Sequence, residues 1–306
     1  MATRVFITFP YSGAKGKVRE RLTQLIEETL NPQGDLHTSN RKPVLVVNRD
    51  TIARGRYEEF EIYLDDERKK DLLDELDVIK VWAVDTCQMW LNGYGKIIDD
   101  KLNDPKDDTT SVLQIPGDLE DVPDFPSFLN SLSDLRRGIE NDWDFAIGDF
   151  DVESQGSKHL IDVYGTYPLF FNWFPDIART IRQVDRIQRP RSEFIGATIE
   201  FLSKMLLLKR KFAYEQTMVF LIHALSDRKR RWRIGRVDLG TIKDFEAGRG
   251  FRAANDQIER TERMLKLLWR EMNGGDKFNI RDFERLDRRS TAIREAAIVS
   301  LENFLA

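Results

Sequence analysis

The first half of the chain alternates short apolar segments with segments of helical periodicity. Apolar runs occupy residues 5–9, 44–47, 78–84, 111–115 and 145–148. Runs of this length are typical of strands that are buried on both faces. Residues 18–30, between the first two runs, carry apolar side chains three and four positions apart, which indicates a helix. Strands alternating with helices predict an α/β fold with a Rossmann-like, mostly parallel sheet.

Composition excludes several classes of protein. The chain has 306 residues, enough for one large α/β domain with a helical appendage, and 41% of them are hydrophobic, as in ordinary folded proteins. Its charges nearly balance at a net −4, so the whole molecule has no general attraction for nucleic acid, and we expect no nucleic-acid partner. Cys87 is the single cysteine, which excludes an intrachain disulfide and a cysteine-type zinc site.

The ends of the chain and its apolar stretches bear on its location. Residues 1–9 resemble a strand and lack the long apolar core of a signal peptide. No window of about 18 uncharged apolar residues occurs, so the sequence predicts no transmembrane segment. We therefore expect a cytoplasmic protein.

Polar side chains follow the predicted strands at the points where the strands end. These residues are Asn48, Arg49, Asp50, Asp85, Asp118 and Asp149. Right-handed crossovers bring the carboxyl ends of parallel strands to one edge of a sheet, and ligands of open α/β sheets bind there. The sequence therefore predicts a ligand site at this edge.

Asp118 is the strongest single candidate in that set. It lies in Gln-Ile-Pro-Gly-Asp118-Leu119, where a strand ends in a rigid turn and a proline-rich segment and a helix follow. Mg²⁺ and Mn²⁺ prefer oxygen ligands and often take one or two carboxylates together with phosphate oxygens. Asp118 is thus a candidate ligand for Mg²⁺ or Mn²⁺ bound to a diphosphate; the alternative is an aspartate that only caps the turn.

This segment resembles the Asp-Ala-Asp-Leu turn of the polyprenyl-phosphate mannosyltransferase group of GT-A glycosyltransferases. The first aspartate of that turn falls on Pro116 and the second on Asp118. Further segments are similar to the family in order and spacing: Phe6–Tyr11, Val44–Asp50, Gly93–Lys96, Phe145–Asp149 and Arg191–Gly196. The resemblance covers roughly residues 4 to 252 and implies the GT-A fold.

The resemblance also implies site residues and an activity. It places a nucleotide on residues Pro10, Tyr11, Asp50, Lys96, Gly117 and Asp118. It implies a hexosyltransferase that uses a nucleoside-diphosphate sugar and an unidentified acceptor, over a catalytic domain at residues 1–252. Residues 253–306 would then form a C-terminal helical extension.

Three residues beyond the strand ends are candidates on chemical grounds. Glu215, at the start of a predicted helix, is a candidate base for an acceptor hydroxyl, although a phosphate acceptor would need none. Arg249 and Arg252, in or beside a glycine-containing loop, could close over phosphates. The basic run Arg228–Arg233 could contact a diphosphate or another anion, or be a solvated surface.

Two other functions remain open at this stage. The loss of the first aspartate of the turn permits a non-catalytic protein that binds sugar nucleotides. Gly13-Ala-Lys15-Gly16-Lys17 weakly resembles the phosphate loop of a nucleotidyltransferase. Separately, apolar stripes on residues 255–272 and 291–304 must be buried. Mixed acidic and basic residues on the polar faces disfavour a membrane surface. This leaves a homodimer contact, which we prefer, and the protein's own core.

Overall fold

The computed structural model describes most of the chain. The described residues are 2–38, 41–83, 86–104, 106–119, 122–151, 160–183, 187–206, 216–242, 251–274 and 279–305. The chain divides into two compact units, and each consists of two segments of the sequence. The sheet unit comprises Met1–Phe150 and Pro190–Gly240, and the helical unit comprises Asp151–Arg189 and Thr241–Ala306.

The sheet unit is built on a mixed, mostly parallel sheet of seven strands within the described residues. The strands are β1 Ala2–Thr8, β2 Val44–Asn48, β3 Asp77–Val81, β4 Thr109–Pro116, β5 Phe145–Asp151, β6 Ile195–Thr198 and β7 Ile234–Thr241. Their order across the sheet is β3-β2-β1-β4-β6-β5-β7. β1 pairs in parallel with both β2 and β4, and β2 pairs in parallel with β3. The α/β fold predicted from the sequence is confirmed.

The middle of the sheet explains why these segments are mostly apolar. Every residue of β2 is buried, as are all but the first residue of β1 and all but one of β4. The helices of this unit are α1 Gly16–Leu30, α2 Arg49–Ala53, α3 Glu58–Tyr63, α4 Asp66–Asp74, α5 Thr86–Asn103 and α6 Phe125–Asn141. Two further helices of the unit, α9 Ile199–Leu206 and α10 Gln216–Ser226, follow β6.

The sixth strand lies in a segment for which the sequence analysis predicts no strand. β6 occupies Ile195–Thr198 and runs antiparallel to both neighbours, with Leu113 and Ala146 each opposite Gly196. A Cβ on Gly196 would lie 2.5 Å from Ile139 Cγ1, so this strand packs tightly against α6. Four residues are too few to show an alternating pattern, and the helix α9 begins directly afterwards.

The helical unit contains a short π-helix at Asp162–Thr166 and the helices α7 Tyr167–Trp173, α8 Pro175–Gln183, α11 Phe251–Met272 and α12 Ile280–Leu305. The apolar stripes of α11 and α12 are buried within the single chain; Ile258, Leu268 and Leu301 have no exposed surface. Packing in the protein's own core, one of the two alternatives, therefore accounts for the stripes, and a homodimer stays a prediction.

A polar cluster joins α11 and α12 inside this unit. The Glu262 side chain, 2% exposed, pairs with Arg294 at 3.0 Å and with Lys266 at 2.9 Å. Ser290 donates a hydrogen bond of 2.8 Å to Glu262 and accepts one of 3.1 Å from the Trp173 indole. A buried carboxylate is tolerated only when its charge is paired in this way.

The compact units divide the chain differently from the predicted domains. Residues 160–183, on the early side of the boundary at 252, belong to the helical unit because they form its π-helix, α7 and α8. The boundary at residue 252 stays a prediction about domains. Within the described residues, no helix has both the length and the apolar character needed to cross a bilayer.

Candidate functional site

The carboxyl edge of the sheet collects the polar residues that follow the strands. β1, β2, β3 and β4 are parallel, so their last residues and the loops after them share one edge. β5 runs in the same direction as β4, because both pair antiparallel with β6. Ligands of open α/β sheets bind at this edge.

The loop after β1 contacts the first turn of α2, which follows β2, through Tyr11 and Asp50. The Tyr11 hydroxyl donates to Asp50 Oδ2 at 3.0 Å, and Arg54 pairs with the same oxygen at 2.9 Å. Burial raises the pKa of Tyr11, and the hydrogen bond to the Asp50 carboxylate raises it further. The structure thus brings together two of the residues for which the sequence predicts nucleotide contacts.

The loop that carries Tyr11 is held by backbone contacts. Gly13 has a φ of 90° and donates to the Pro10 carbonyl at 2.9 Å, which closes a tight turn that favours glycine. The Tyr11 carbonyl accepts from Arg56 at 2.9 Å and from Thr51 at 3.3 Å. Pro10 itself is buried, so it supports the loop from within.

Asn48 ties the ends of β2 and β3 together. Its side chain is fully buried, accepts from the Asp50 amide at 3.1 Å and donates to the Ala83 carbonyl at 2.8 Å. It therefore caps α2 and fixes the chain that leaves β3. The sequence analysis noted the position of Asn48 but not this role, which the pairing of β2 with β3 makes evident.

An aromatic platform lies on that same chain. Trp82, directly after β3, is 65% exposed, and the Arg49 guanidinium lies 5.8 Å from the centroid of its ring. Arg49 is exposed and makes no ion pair with a described residue. A wide exposed ring beside an uncommitted cation is suited to a flat ligand that carries hydrogen-bond acceptors. The sequence analysis missed Trp82 because it lies inside an apolar run.

The turn after β4 presents the predicted metal ligand. The Gly117 amide donates to the Thr8 carbonyl at 3.0 Å, and a Cβ on Gly117 would lie 2.4 Å from that oxygen. Any larger residue at Gly117 would push the turn away from β1. Asp118 follows directly, is exposed, and has no hydrogen-bond or ion-pair partner among the described residues.

Among the described residues, Asp118 is the carboxylate that the turn after β4 offers to a divalent ion. No group of three or more histidine, cysteine, aspartate or glutamate side chains that could hold a metal exists within the described part of the chain. Pro116 is buried at the end of β4, so it offers no side-chain oxygen where the related turn has its first aspartate. A single carboxylate still suffices when phosphate oxygens and water complete the ion's coordination.

A second acidic residue, Glu193, lies at the same edge just before β6. The Gln114 side chain, fully buried in β4, donates to the Glu193 carbonyl at 2.8 Å. The preceding residue is held as well, because the Ser192 hydroxyl donates to the Gly148 carbonyl at 2.5 Å. Glu193 is half-buried just before β6, which places it among the ends of β4 and β5. The short strand that positions Glu193 gave no recognisable signal in the sequence.

Asp149 lies within β5, whereas the sequence predicted it just after that strand. Its side chain is 1% exposed and pairs with Arg236 of β7, Nε to Oδ2, at 2.7 Å. Arg236 also lies 3.5 Å from Asp238. This guanidinium is therefore occupied by carboxylates, which gives Asp149 a structural role.

Lys96 does not reach the carboxyl edge. The segment Gly93–Lys96, which resembles a family motif, lies inside α5, and this helix is continuous from Thr86 to Asn103. Lys96 lies about 15 Å along the helix axis from Thr86, and it pairs with Asp100 one turn later. Gly93 is present for packing, since a Cβ there would lie 2.4 Å from the Phe6 ring.

Four residues that the sequence singled out cannot be placed. Asp85, Glu215 and Arg249 lie outside the described residues. Arg252 lies in α11, but its side chain is outside the description. The roles of Glu215 as base and of the two arginines as phosphate ligands remain predictions.

Comparisons with known proteins agree on the fold. No protein-family profile and no curated protein matches the chain. A mycobacterial protein of known structure is similar over 87% of this chain and 74% of its own, with a TM-score of 0.54 and 12% identity. Glucosyl-3-phosphoglycerate synthase from Mycobacterium tuberculosis, in complex with phosphoglyceric acid, is similar over 88% of this chain and 80% of its own, with a TM-score of 0.52 and 13% identity. At this identity the likeness concerns the fold alone, and the chain has the α/β fold of GT-A glycosyltransferases with C-terminal helices.

Proposed function

We propose that this protein transfers a sugar from a nucleoside-diphosphate sugar to an acceptor at the carboxyl edge of its sheet. The single observation that carries the proposal is Asp118, an exposed carboxylate without a described partner on a turn that Gly117 holds against β1. The fold supports this function only by analogy, because one fold serves many activities.

The nucleotide base is assigned to the part of the edge formed by β1, β2 and β3. Trp82 offers a face for stacking, Arg49 offers donors beside it, and Tyr11 with Asp50 closes the other side through their hydrogen bond. Stacking of a base on an aromatic side chain contributes about 1–3 kcal/mol. Trp82 and Arg49 would favour a planar group that carries hydrogen-bond acceptors. The diphosphate of the same ligand would then extend toward β4.

Asp118 would hold Mg²⁺ or Mn²⁺ against the diphosphate, and the ion would supply positive charge that stabilises the leaving group. The Gly117–Thr8 bond keeps the carboxylate at a fixed position relative to β1. Glu193 precedes β6, on the other side of β4 from β1, and we assign the acceptor to this end of the site. There its carboxylate would accept a hydrogen bond from an acceptor hydroxyl and orient it for attack.

A panel of nucleoside-diphosphate sugars, with Mn²⁺ and with chelator, tests the proposal. We expect release of a nucleoside diphosphate in the presence of Mn²⁺, by slow hydrolysis even without the acceptor. Asp118→Asn should lower that release strongly, whereas Asp71→Asn, an exposed carboxylate on α4, should not.

The same panel separates the alternative functions. Release of pyrophosphate from a nucleoside triphosphate and a sugar phosphate would indicate a nucleotidyltransferase. That reading has one supporting observation: α1 begins at Gly16 between Lys15 and Lys17 without a side-chain cap. Binding of sugar nucleotides with no turnover under any condition would indicate a non-catalytic protein.

A further inference from the structure

The loop that joins α10 to β7 concentrates positive charge. Five of the six residues from Arg228 to Arg233 are basic, and Trp232 is the sixth. We call this segment the basic loop. Two of its cations serve the protein itself: Arg233 pairs with Asp144 at 3.3 Å, and Arg230 pairs with Glu200.

The basic loop is rigidly mounted. Trp232 is 5% exposed, donates from its indole to Asp227 at 3.2 Å, and carries the Arg230 guanidinium 3.8 Å above its ring. Asp227 also accepts from the Lys229 amide at 3.0 Å. Trp232 and Asp227 therefore hold the backbone of the loop in place.

Three cations of the loop are directed to solvent. Arg228, Lys229 and Arg231, which we call the exposed triad, are all exposed. None of them makes an ion pair or side-chain hydrogen bond within the described parts of the chain. Adjacent like charges repel one another, so the triad does not stabilise the fold.

The triad lies at the edge of the sheet opposite to the candidate site. The Arg233 carbonyl accepts from the amides of Asp144 at 2.8 Å and Phe145 at 3.3 Å, and Phe145 is the first residue of β5. β5 runs in the direction of β4, so its start marks the amino edge. A partner bound to the triad would leave the carboxyl edge open.

We propose that the exposed triad docks the protein on an anionic lipid surface. A stable protein interface needs an apolar centre, and no large exposed apolar side chain of the described residues belongs to this loop. Single-stranded nucleic acid needs exposed aromatic rings for stacking, and Trp232 is buried. A surface of anionic headgroups needs neither, because it attracts cations additively and without insertion.

Vesicle co-sedimentation of the full chain tests this proposal. Vesicles of phosphatidylcholine with phosphatidylglycerol should bind the protein, and vesicles of phosphatidylcholine alone should not. Each cation near such a surface strengthens binding about fivefold, so replacing the three should weaken it on the order of 100-fold. Raising the salt from about 0.1 M to about 1 M, which shortens the Debye length from about 10 Å to about 3 Å, should release the protein.

The decisive comparison uses two variants of equal charge. One carries Arg228→Gln, Lys229→Gln and Arg231→Gln. The other neutralises exposed lysines elsewhere in the sheet unit that also lack a described ion pair: Lys70→Gln, Lys80→Gln and Lys106→Gln. We expect only the first to lose vesicle binding, with its melting temperature unchanged or raised, since no described bond is lost.

Equal losses in both variants, or none in either, would overturn the proposal. Preferential binding of duplex DNA over the anionic vesicles would also overturn it and assign the loop to nucleic acid. Sugar transfer in solution plays no part in this test, so the outcome is independent of the proposed activity.

Discussion

Gly93 and Gly95 lie two positions apart on α5. Replacing each by alanine should change the stability of the protein in opposite directions. Alanine in a helix interior is favoured over glycine by about 1 kcal/mol, and this gain applies to both positions. At Gly95 a Cβ would meet nothing within 4 Å, so the gain should appear in full. At Gly93 it would lie 2.4 Å from Phe6 Cε2 and 3.1 Å from Val46 Cγ2.

The contact at Gly93 cannot be relieved locally. Phe6 and Val46 are fully buried, and the Phe6 ring already packs 5.1 Å from the ring of Tyr94. The helix would have to move away from the sheet by about 1 Å, and overpacking of this kind costs about 1–3 kcal/mol. Because the helix-propensity gain cancels in the comparison, the difference in stability between the two variants should equal that cost.

Urea unfolding followed by circular dichroism measures this difference. We expect Gly93→Ala to have the lower midpoint and Gly95→Ala to match or exceed the unsubstituted protein, with unchanged slopes. Equal stabilisation by both substitutions would refute the close packing of α5 on β1 and β2. It would also reopen a ligand-binding role for residues 93–96.

Two further predictions concern the edges of the sheet. Trp82→Ala should weaken binding of a nucleoside diphosphate, measured by isothermal titration calorimetry, by a factor of about 5–150, and should leave stability nearly unchanged since the ring is 65% exposed; unchanged affinity would remove the platform. Asp144 is buried, and its bonds to Arg233 outweigh the effect of burial and hold its pKa below the usual value. The ionised Asp144 therefore stabilises the protein fully above the pKa of an unfolded aspartate, about 4, and this stabilisation is lost as the pH falls below that value. Asp144→Asn should be less stable than the unsubstituted protein at neutral pH. It should also lose less stability on acidification. A parallel decline of both proteins in urea unfolding at stepwise lower pH would show that Asp144 does not contribute.

The strands of the parallel region could be predicted from the sequence because burial on both faces leaves uninterrupted apolar runs. β1, β2 and β4 are of this kind. β6 could not, since it has four residues and derives its place from pairing with β4 and β5, which are distant in sequence. The location of Glu193 at the edge follows from that strand and was hidden for the same reason.

The candidate site was predictable in its position but not in its detail. Parallel topology alone places Asp50 and Asp118 at one edge, whereas the bond from Tyr11 to Asp50 depends on how two loops fold toward each other. Lys96 differs, because only the resemblance implied its nucleotide contact, and the structure places it within the continuous helix α5, where Gly93 packs closely against Phe6.

The sequence allowed two interpretations of the basic run Arg228–Arg233, an anion contact or a solvated surface. The structure shows that its cations do not all have the same role. Arg230 and Arg233 neutralise buried or neighbouring carboxylates, which the sequence could not show because Asp144 and Glu200 are distant along the chain. Only the exposed triad remains for a partner.

The central claim is that Asp118 couples a divalent ion to a nucleoside diphosphate, and a thermal-shift titration of that ligand with and without Mn²⁺ tests it most directly. A ligand that binds only the native state at about 100 times its dissociation constant stabilises it by about 2.7 kcal/mol. We predict that Mn²⁺ increases the nucleotide-dependent shift of the unsubstituted protein and of Asp71→Asn, and that Asp118→Asn retains only the metal-independent part. An Mn²⁺ response in Asp118→Asn equal to that of the unsubstituted protein would contradict the account.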